Sequence, residues 1–413
     1  MSGINRGVLS ATLNEPATKA LSMNQLNRMT TALGFPAGWL YERYTQEMIA
    51  QIESVSWRRM KEVLVHCLQL QKLDLVKLVL DALDEKPIYV NYVFALAEEW
   101  DVQGALADLS ILYEYVLTHE ANLHSERFAV SQYRLFRIHV ELDLPRSFTS
   151  AIRFAPYRHA LPVHLKMDAL AQLSYVAFAL KDWDVLKQYG EELSNTALIV
   201  YQAVINKQDA HIQSYERPLI VYYGKGYIAQ CTALANIGEY TAAKKMIAYF
   251  EDLSWFEGLD HVARVYVEKY AVWARCHRYN IELLQGNYSV LHQYVNFLEF
   301  FPEEHPASID MILKASNLHQ WNIDELLQKY HTTIYPPDSW RYLESNTNYA
   351  MMVETNQYIN IYYELAVYYF ERKKSSAQLE RILSELKNNV EKYNHIYTFN
   401  STELFEKLHK FYF

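Results

Sequence analysis

Asparagine side chains recur among the apolar residues of helical segments in the second half of the chain. An Asn amide can donate to a carbonyl and accept from an N–H, so several such amides can hold the backbone of an extended peptide. Asn236 and Asn280 fall on helices expected to line a groove. Asn356, Asn360 and Tyr363 share one side of a later helix. The pattern predicts a peptide-binding surface, although Asn236 could instead terminate its own helix.

Four further side chains belong to the same predicted groove. Tyr175, Lys225 and Thr232 fall on its inner helices, and Arg275 lies near Asn280 in sequence. They would add hydroxyl groups and isolated cations to the amides. The candidate peptide-binding residues are Tyr175, Lys225, Thr232, Asn236, Arg275, Asn280, Asn356, Asn360 and Tyr363.

A cluster of arginines allows two interpretations. Arg127, Arg134 and Arg137 are spaced i, i+7 and i+10, which places them on one helix face where they could bind a peptide carboxylate. The alternative is a set of structural ion pairs, such as Arg137 with Glu141. The spacing favours ion pairs.

Motifs of the common enzyme classes are missing from the sequence. It contains no GxxxxGK[ST] and no GxSxG, and Gly224-Lys225-Gly226 is only a fragment of a dinucleotide-binding GxGxxG. The 15 histidines form no HExxH, and the pairs His119/His124 and His159/His164 are five residues apart rather than three or four. We therefore predict a protein that is not an enzyme and that needs no metal or cofactor.

Composition predicts that helices position these groups. The chain has 413 residues, 51% of them hydrophobic, but only 11 Gly and 11 Pro, so helix breakers are few. No apolar run approaches the roughly 20 residues that span a bilayer, and the start lacks the apolar core of a signal peptide. We expect an all-α protein of the cytoplasm that does not enter the membrane. Cys67, Cys231 and Cys276 lie in apolar helical patterns, which is typical of buried structural thiols.

Charge is distributed unevenly along the chain. The net charge is −9, but residues 1 to 35 carry three basic side chains against one acidic one, so the remainder carries −11. Only the N-terminal segment suits a polyanion. This distribution argues against nucleic-acid binding along the whole length.

Residues 217 to 253 have the pattern of a helical hairpin. Tyr227, Cys231 and Leu234 lie on one helical face, Gly238 turns the chain, and a second apolar series begins at Ala243. The aromatic and small residues at these spacings resemble a degenerate tetratricopeptide repeat. A similar turn recurs at Lys181-Asp182-Trp183 and Gly286-Asn287-Tyr288. The fold expected is a degenerate right-handed tetratricopeptide solenoid.

The first 34 residues resemble the second half of a phage-repressor (Xre-type) helix-turn-helix domain. A Ser-Gly-Ile turn precedes a helix that starts near Asn5, and a second helix, capped by Ser22, ends at Gly34. The resemblance implies that the first of these helices reads DNA. The residues it would assign to DNA are Asn5, Arg6, Ser10 and, more weakly, Thr12 and Lys19. The two helices that precede the turn in that family are missing, so a complete DNA reader would need sequence upstream of Met1. Two small helices packed on the next domain are the alternative.

The whole chain resembles the RRNPP peptide-pheromone receptors of Gram-positive bacteria. The similarity rests on residues 32–41, which contain Phe35-Pro36 and Gly38-Trp39-Leu40-Tyr41, on Trp57-Arg58-Arg59-Met60, and on residues 125–134. It implies a partial helix-turn-helix and linker at residues 1–41 and a peptide-binding and dimerisation domain at residues 42–413.

The sequence is compatible with three functions. The resemblance implies a homodimeric, quorum-sensing transcription regulator that binds a short signalling peptide, and DNA if its reader is completed upstream. The alternative is a solenoid adaptor, similar to the Rap members, which binds a protein partner such as a response regulator and no DNA. Phosphatase action on a response regulator is the third, but no residue here can be matched to it.

Overall fold

The computed structural model describes residues 21–84, 86–102, 109–142, 144–206, 215–335, 349–372 and 376–392. All regular secondary structure in these ranges is helical, and they contain no strand. The all-α prediction is confirmed. Two compact units make up the chain, Met1–Ile138 and His139–Phe413. The domain boundary predicted near residue 41 stays a prediction.

Seven α-helices form the described part of the first unit. They are α1 (Met23–Ala32), α2 (Tyr41–Ile49), α3 (Trp57–Gln69), α4 (Leu73–Asp81), α5 (Ile88–Val102), α6 (Ser110–His119) and α7 (Glu126–Leu142), within which the boundary between the units falls. Helix α3 packs on α4, and α5 on α6. Met60, Leu64 and Cys67 of α3 and Val76 and Val79 of α4 are fully buried. These two helices form a helical hairpin.

The cap predicted for α1 is also confirmed. The Ser22 side chain accepts from the Gln25 N–H at 3.3 Å, and the Gln25 side chain accepts from the Ser22 N–H at 3.0 Å, which forms a capping box. Gly34 follows the helix with a φ of 77°. Met23 and Leu26 join the core formed by α2 to α6. The DNA-binding candidates Asn5, Arg6, Ser10, Thr12 and Lys19 lie outside the described residues.

Twelve α-helices lie in the described part of the second unit. They are α8 (Leu144–Phe154), α9 (Val163–Ala179), α10 (Trp183–Ile205), α11 (Leu219–Asn236), α12 (Tyr240–Ile247), α13 (His261–Leu284), α14 (Leu291–Leu298), α15 (His305–His319), α16 (Asp324–Lys329), α17 (His331–Ile334), α18 (Tyr349–Glu371) and α19 (Ser376–Lys392). Each of α9 to α12 packs on the next, and α9, α11, α13 and α15 also contact one another in succession. The tetratricopeptide solenoid stays a prediction.

The recurrent turn found in the sequence has one backbone geometry. Lys181, Gly238 and Gly286 have φ values of 55°, 85° and 89°. In each case the next N–H donates to the carbonyl five residues earlier, at 2.9 to 3.0 Å, which is the Schellman closure of a helix. Gln71 and Gln320 form the same turn with φ values of 54° and 58°.

Close helix contacts explain the Gly224-Lys225-Gly226 sequence. A Cβ on Gly226 would lie 2.6 Å from the Gly190 carbonyl oxygen, and a Cβ on Gly224 would lie 2.3 Å from the Tyr270 ring. Glycine therefore lets α11 approach both α10 and α13. These glycines serve helix packing.

The aromatic helix α18 is covered by its own unit. Tyr362 and Leu365 are buried, and the Tyr362 hydroxyl donates to the Ile334 carbonyl at 3.2 Å. Tyr362 and Leu365 therefore belong to the core of the second unit. The homodimer stays a prediction.

Cys67, Cys231 and Cys276 are buried, as predicted. No helix in the described ranges is both long and apolar enough to cross a bilayer.

Candidate functional site

A cavity of about 610 Å³ lies within the second unit. Alternate helices α9, α11, α13 and α15 supply much of its lining, together with α8, α18 and the turn around Lys181. Helices that alternate in sequence contact one another, so residues far apart in the chain face one space. The volume lies within the range of about 300–1,000 Å³ usual for ligand pockets.

Six of the predicted peptide-binding residues line this cavity. They are Tyr175, Thr232, Asn236, Asn280, Asn360 and Tyr363. They come from α9, α11, α13 and α18, and the longest separation, between Tyr175 and Tyr363, spans nearly half of the chain. The structure brings together side chains that the sequence had grouped only by helical phase.

Three predicted residues are not among those that line the cavity. Lys225 lies beside Arg217 and Asp168, because the first half of α11 packs against its neighbours and only the second half reaches the cavity. Arg275 is exposed, with its guanidinium 4.3 Å from the Phe297 ring centroid. The side chain of Asn356 lies outside those described.

The cavity wall is largely apolar and aromatic. Its larger apolar side chains are Phe148, Ile152, Phe178, Leu180, Trp183, Trp273, Ile281, Leu284, Met311 and Ile359. Such a surface would favour burial of one or two apolar groups of a ligand, since each buried aliphatic or aromatic side chain contributes about 1.5–3 kcal/mol.

Charged residues that the sequence reasoning did not select also line the cavity. They are Lys181, Glu304, Asp310, Lys314 and Glu364. Asp310 and Lys314 are one turn apart on α15, a spacing that is usually a solvated ion pair. In the sequence, these two charged residues stand out only because they interrupt the apolar residues of α15. Their position facing α18 follows only from tertiary contacts.

The two best-placed asparagines differ in their hydrogen bonds. Asn236 donates to the Thr232 carbonyl at 2.8 Å and accepts from the Lys314 ammonium group at 2.6 Å. It is the last residue of α11, so it both ends its helix and faces the cavity. The Asn280 side-chain oxygen is buried and has no hydrogen-bond partner in the part of the chain that the structure describes.

Burial in the cavity shifts the pKa values of several of these groups. Burial raises the pKa of Asp310 to about 7, and the nearby Glu364 carboxylate adds to the shift. Burial likewise raises the pKa of Glu364 and lowers that of Lys314. The pKa of His277 falls to about 4 by burial, so this ring is neutral at neutral pH. The lysines and carboxyl groups therefore dominate the charge in the cavity.

The three arginines considered for a peptide carboxylate have other contacts. Arg134 is buried and bonds both oxygens of Glu98, at 2.9 and 2.7 Å, and Asp101 at 2.8 Å. Arg127 pairs with Glu120. The Arg137 guanidinium lies 5.9 Å from the Tyr133 ring centroid. These contacts favour the structural interpretation of the cluster.

Comparisons of the chain with protein-family models, with curated proteins and with solved structures each gave no match.

Proposed function

We propose that the chain is a cytoplasmic receptor for a short peptide, and that peptide binding regulates transcription. The observation that carries the binding part is the convergence of Asn236, Asn280 and Asn360 on one apolar-walled cavity. A peptide presents alternating donors and acceptors, which amides from three separate helices can match. The ligand would be extended, held through its backbone, with one or two apolar side chains against the aromatic wall.

The finer architecture belongs to the same proposal. Contacts between alternate helices and five Schellman turns of one geometry support a tetratricopeptide solenoid. In such an array each repeat contacts only its neighbours, so a ligand that bridges α9, α11, α13 and α15 would favour one curvature. A change in curvature is the means by which binding would reach a DNA-reading segment or a second copy of the chain.

Affinity selection tests the binding proposal directly. The full chain is equilibrated with an equimolar library of random hexapeptides, separated by size exclusion, and the bound peptides are identified by mass spectrometry. Recovered sequences are resynthesised and titrated by calorimetry. We expect recovery of related sequences with dissociation constants in the micromolar range or tighter.

A filled cavity provides the matched comparison. Ala307→Phe places a ring in the cavity and should abolish recovery, whereas Ala271→Phe on the exposed face of α13 should leave it unchanged. Recovery of no peptide by the wild type would contradict the proposal and would favour an adaptor for a protein partner. Equal recovery by the two variants would place the peptide elsewhere.

A further inference from the structure

The Asp310 carboxyl group lines the cavity. Among the described residues, none forms a hydrogen bond or ion pair with it. Glu364, Lys314 and Lys181 are near enough to affect its charge. A carboxylate removed from water is unfavourable unless it is paired. Asp310 therefore has unused capacity to accept hydrogen bonds.

The nearby donors are directed to other groups. The Lys314 ammonium group lies 2.6 Å from the Asn236 side-chain oxygen, and the Asn317 amide donates to Glu364 at 2.8 Å. Lys181 is exposed, and its ammonium group lies 5.6 Å from the Tyr363 ring centroid. The Trp273 indole donates to Glu304 at 2.8 Å.

Two acceptors in the cavity thus lack a donor among the described residues, the Asp310 carboxyl and the buried side-chain oxygen of Asn280. A ligand anion in this part of the cavity would be repelled by Asp310 and Glu364 when these groups are ionised. A ligand cation with several N–H groups would be attracted by both carboxyl groups and would supply the missing donors. The acceptors that lack donors therefore favour an ammonium group of the ligand at this position.

We propose that Asp310 and Glu364 form a subsite for an ammonium group of the ligand. This proposal rests on the proposed peptide-binding function and names one end of the ligand. Two sources share the chemistry, the free N-terminus of a peptide and a lysine side chain. Acetylation of the N-terminus separates them.

Binding at this subsite is coupled to a proton. Asp310 must be ionised to attract the cation, and its pKa lies at about 7. Lys314 on α15, Glu364 on α18 and Lys181 in the turn before α10 act on its charge. The other titratable groups that line the cavity are Glu304 just before α15, Tyr363 on α18, Tyr175 on α9, and Cys276 and His277 on α13. His277 stays neutral above about pH 5, since its pKa is about 4. From pH 6 to pH 7 the affinity should rise about fivefold, because the ionised fraction of Asp310 rises by that factor.

The experiment compares each recovered peptide in two forms, with a free and with an acetylated N-terminus, on the full wild-type chain. We expect the free form to bind about tenfold to hundredfold more tightly, the effect of one charged hydrogen bond. Asp310→Asn should remove this preference and also the rise in affinity from pH 6 to pH 7. Glu303→Gln, an exposed acid outside the cavity, should keep both.

Each other outcome has a definite meaning. If lysine-containing peptides keep their affinity after acetylation and lose it on replacement of the lysine, the lysine side chain is the source of the ammonium group. Equal affinity of both forms in peptides without lysine overturns the proposal and leaves the peptide receptor intact. If no peptide is recovered at all, the proposed function fails first. Glu364→Gln is the second variant should Asp310→Asn not fold, and an unchanged preference in a folded variant of either residue also overturns the subsite.

Discussion

Two sets of charged side chains in this protein have opposite hydrogen-bonding arrangements. In the first unit Arg134 is bonded to Glu98 and Asp101, and the Tyr113 hydroxyl donates to Glu98 at 2.8 Å. In the second unit Asp310 has no bonded partner among the described residues, although carboxyl and ammonium groups lie near it. In the first set each charged group is bonded to a partner within the chain, whereas in the second set Asp310 is not bonded to any of the described residues.

This difference separates structural charges from charges available to a ligand. A buried ion pair that is fully bonded contributes to specificity of the fold, and removal of one partner leaves an uncompensated charge. A charge without a partner lowers the stability of the free protein. A ligand that supplies the matching group would stabilise the folded chain when it binds. Mutations in the two sets should therefore change stability with opposite sign.

The largest effect is expected for Arg134→Met. Glu98 and Asp101 would remain close together without the guanidinium, and we expect a loss of about 3 kcal/mol in the free energy of unfolding. Arg43→Met is the matched control, because Arg43 pairs with Glu47 in an exposed i, i+4 arrangement worth within about 0.5 kcal/mol. Denaturant unfolding monitored by circular dichroism measures both. Equal losses in the two variants would show that the Arg134 network is not structural.

Asp310→Asn should have a smaller effect of the opposite sign, and one that depends on pH. The pKa of Asp310 is 3.8 in the unfolded reference and about 7 in the folded chain, so the folded form retains a proton that the unfolded form has lost. This group therefore lowers stability progressively as pH rises from about 4 to 7, and its penalty is constant above that range. We expect the Asn variant to be more stable than wild type by about 1–3 kcal/mol at pH 8.

The difference between this variant and the wild type should shrink as the pH falls from 7 towards 4, because the unfolded chain then also holds the proton on Asp310. Thermal unfolding between pH 5 and pH 8 measures the difference, with Glu303→Gln as control. A difference that does not change with pH would contradict the assigned environment of Asp310.

Local rules were enough to predict the all-α class and three of the five turns. Gly238 and Gly286 at positive φ follow from the lack of a Cβ, and Lys181 was recognised from the Asp182-Trp183 that follows it. Gln71 and Gln320 adopt the same conformation with residues that rarely favour it, so the sequence does not mark them. There the packing of the two adjoining helices fixes the turn.

The site could be predicted only in part, for a related reason. Helical phase placed Thr232, Asn236 and Asn280 on a common surface, because phase is a local property. Lys225 has nearly the phase of Asn236, but lies where α11 packs on its neighbours at Gly224 and Gly226. The charge cluster around Asp310 was missed because residues on α15 and α18 meet only through tertiary contacts. The sequence predicts which face of a helix points towards the groove. Tertiary packing decides how much of that face borders the cavity.

The smallest stability effect, and the sharpest test of the comparison, concerns two asparagines of one cavity. Asn236→Ala removes the acceptor of the Lys314 ammonium group and the bond to the Thr232 carbonyl, so it should lower the free energy of unfolding by about 1–2 kcal/mol. Asn280→Ala removes a buried oxygen that has no partner, and the desolvation cost avoided offsets the lost packing. Its effect on stability should stay within about 1 kcal/mol.

The two substitutions should rank the other way round in their effect on peptide affinity. An amide oxygen that lacks a partner in the free chain is the one to which a ligand can donate. We expect Asn280→Ala to weaken binding of the selected peptides by about 1–3 kcal/mol. Calorimetry and thermal unfolding on both variants measure the two quantities. A large loss of stability together with unchanged peptide affinity for Asn280→Ala would assign that amide to the fold and remove it from the binding site.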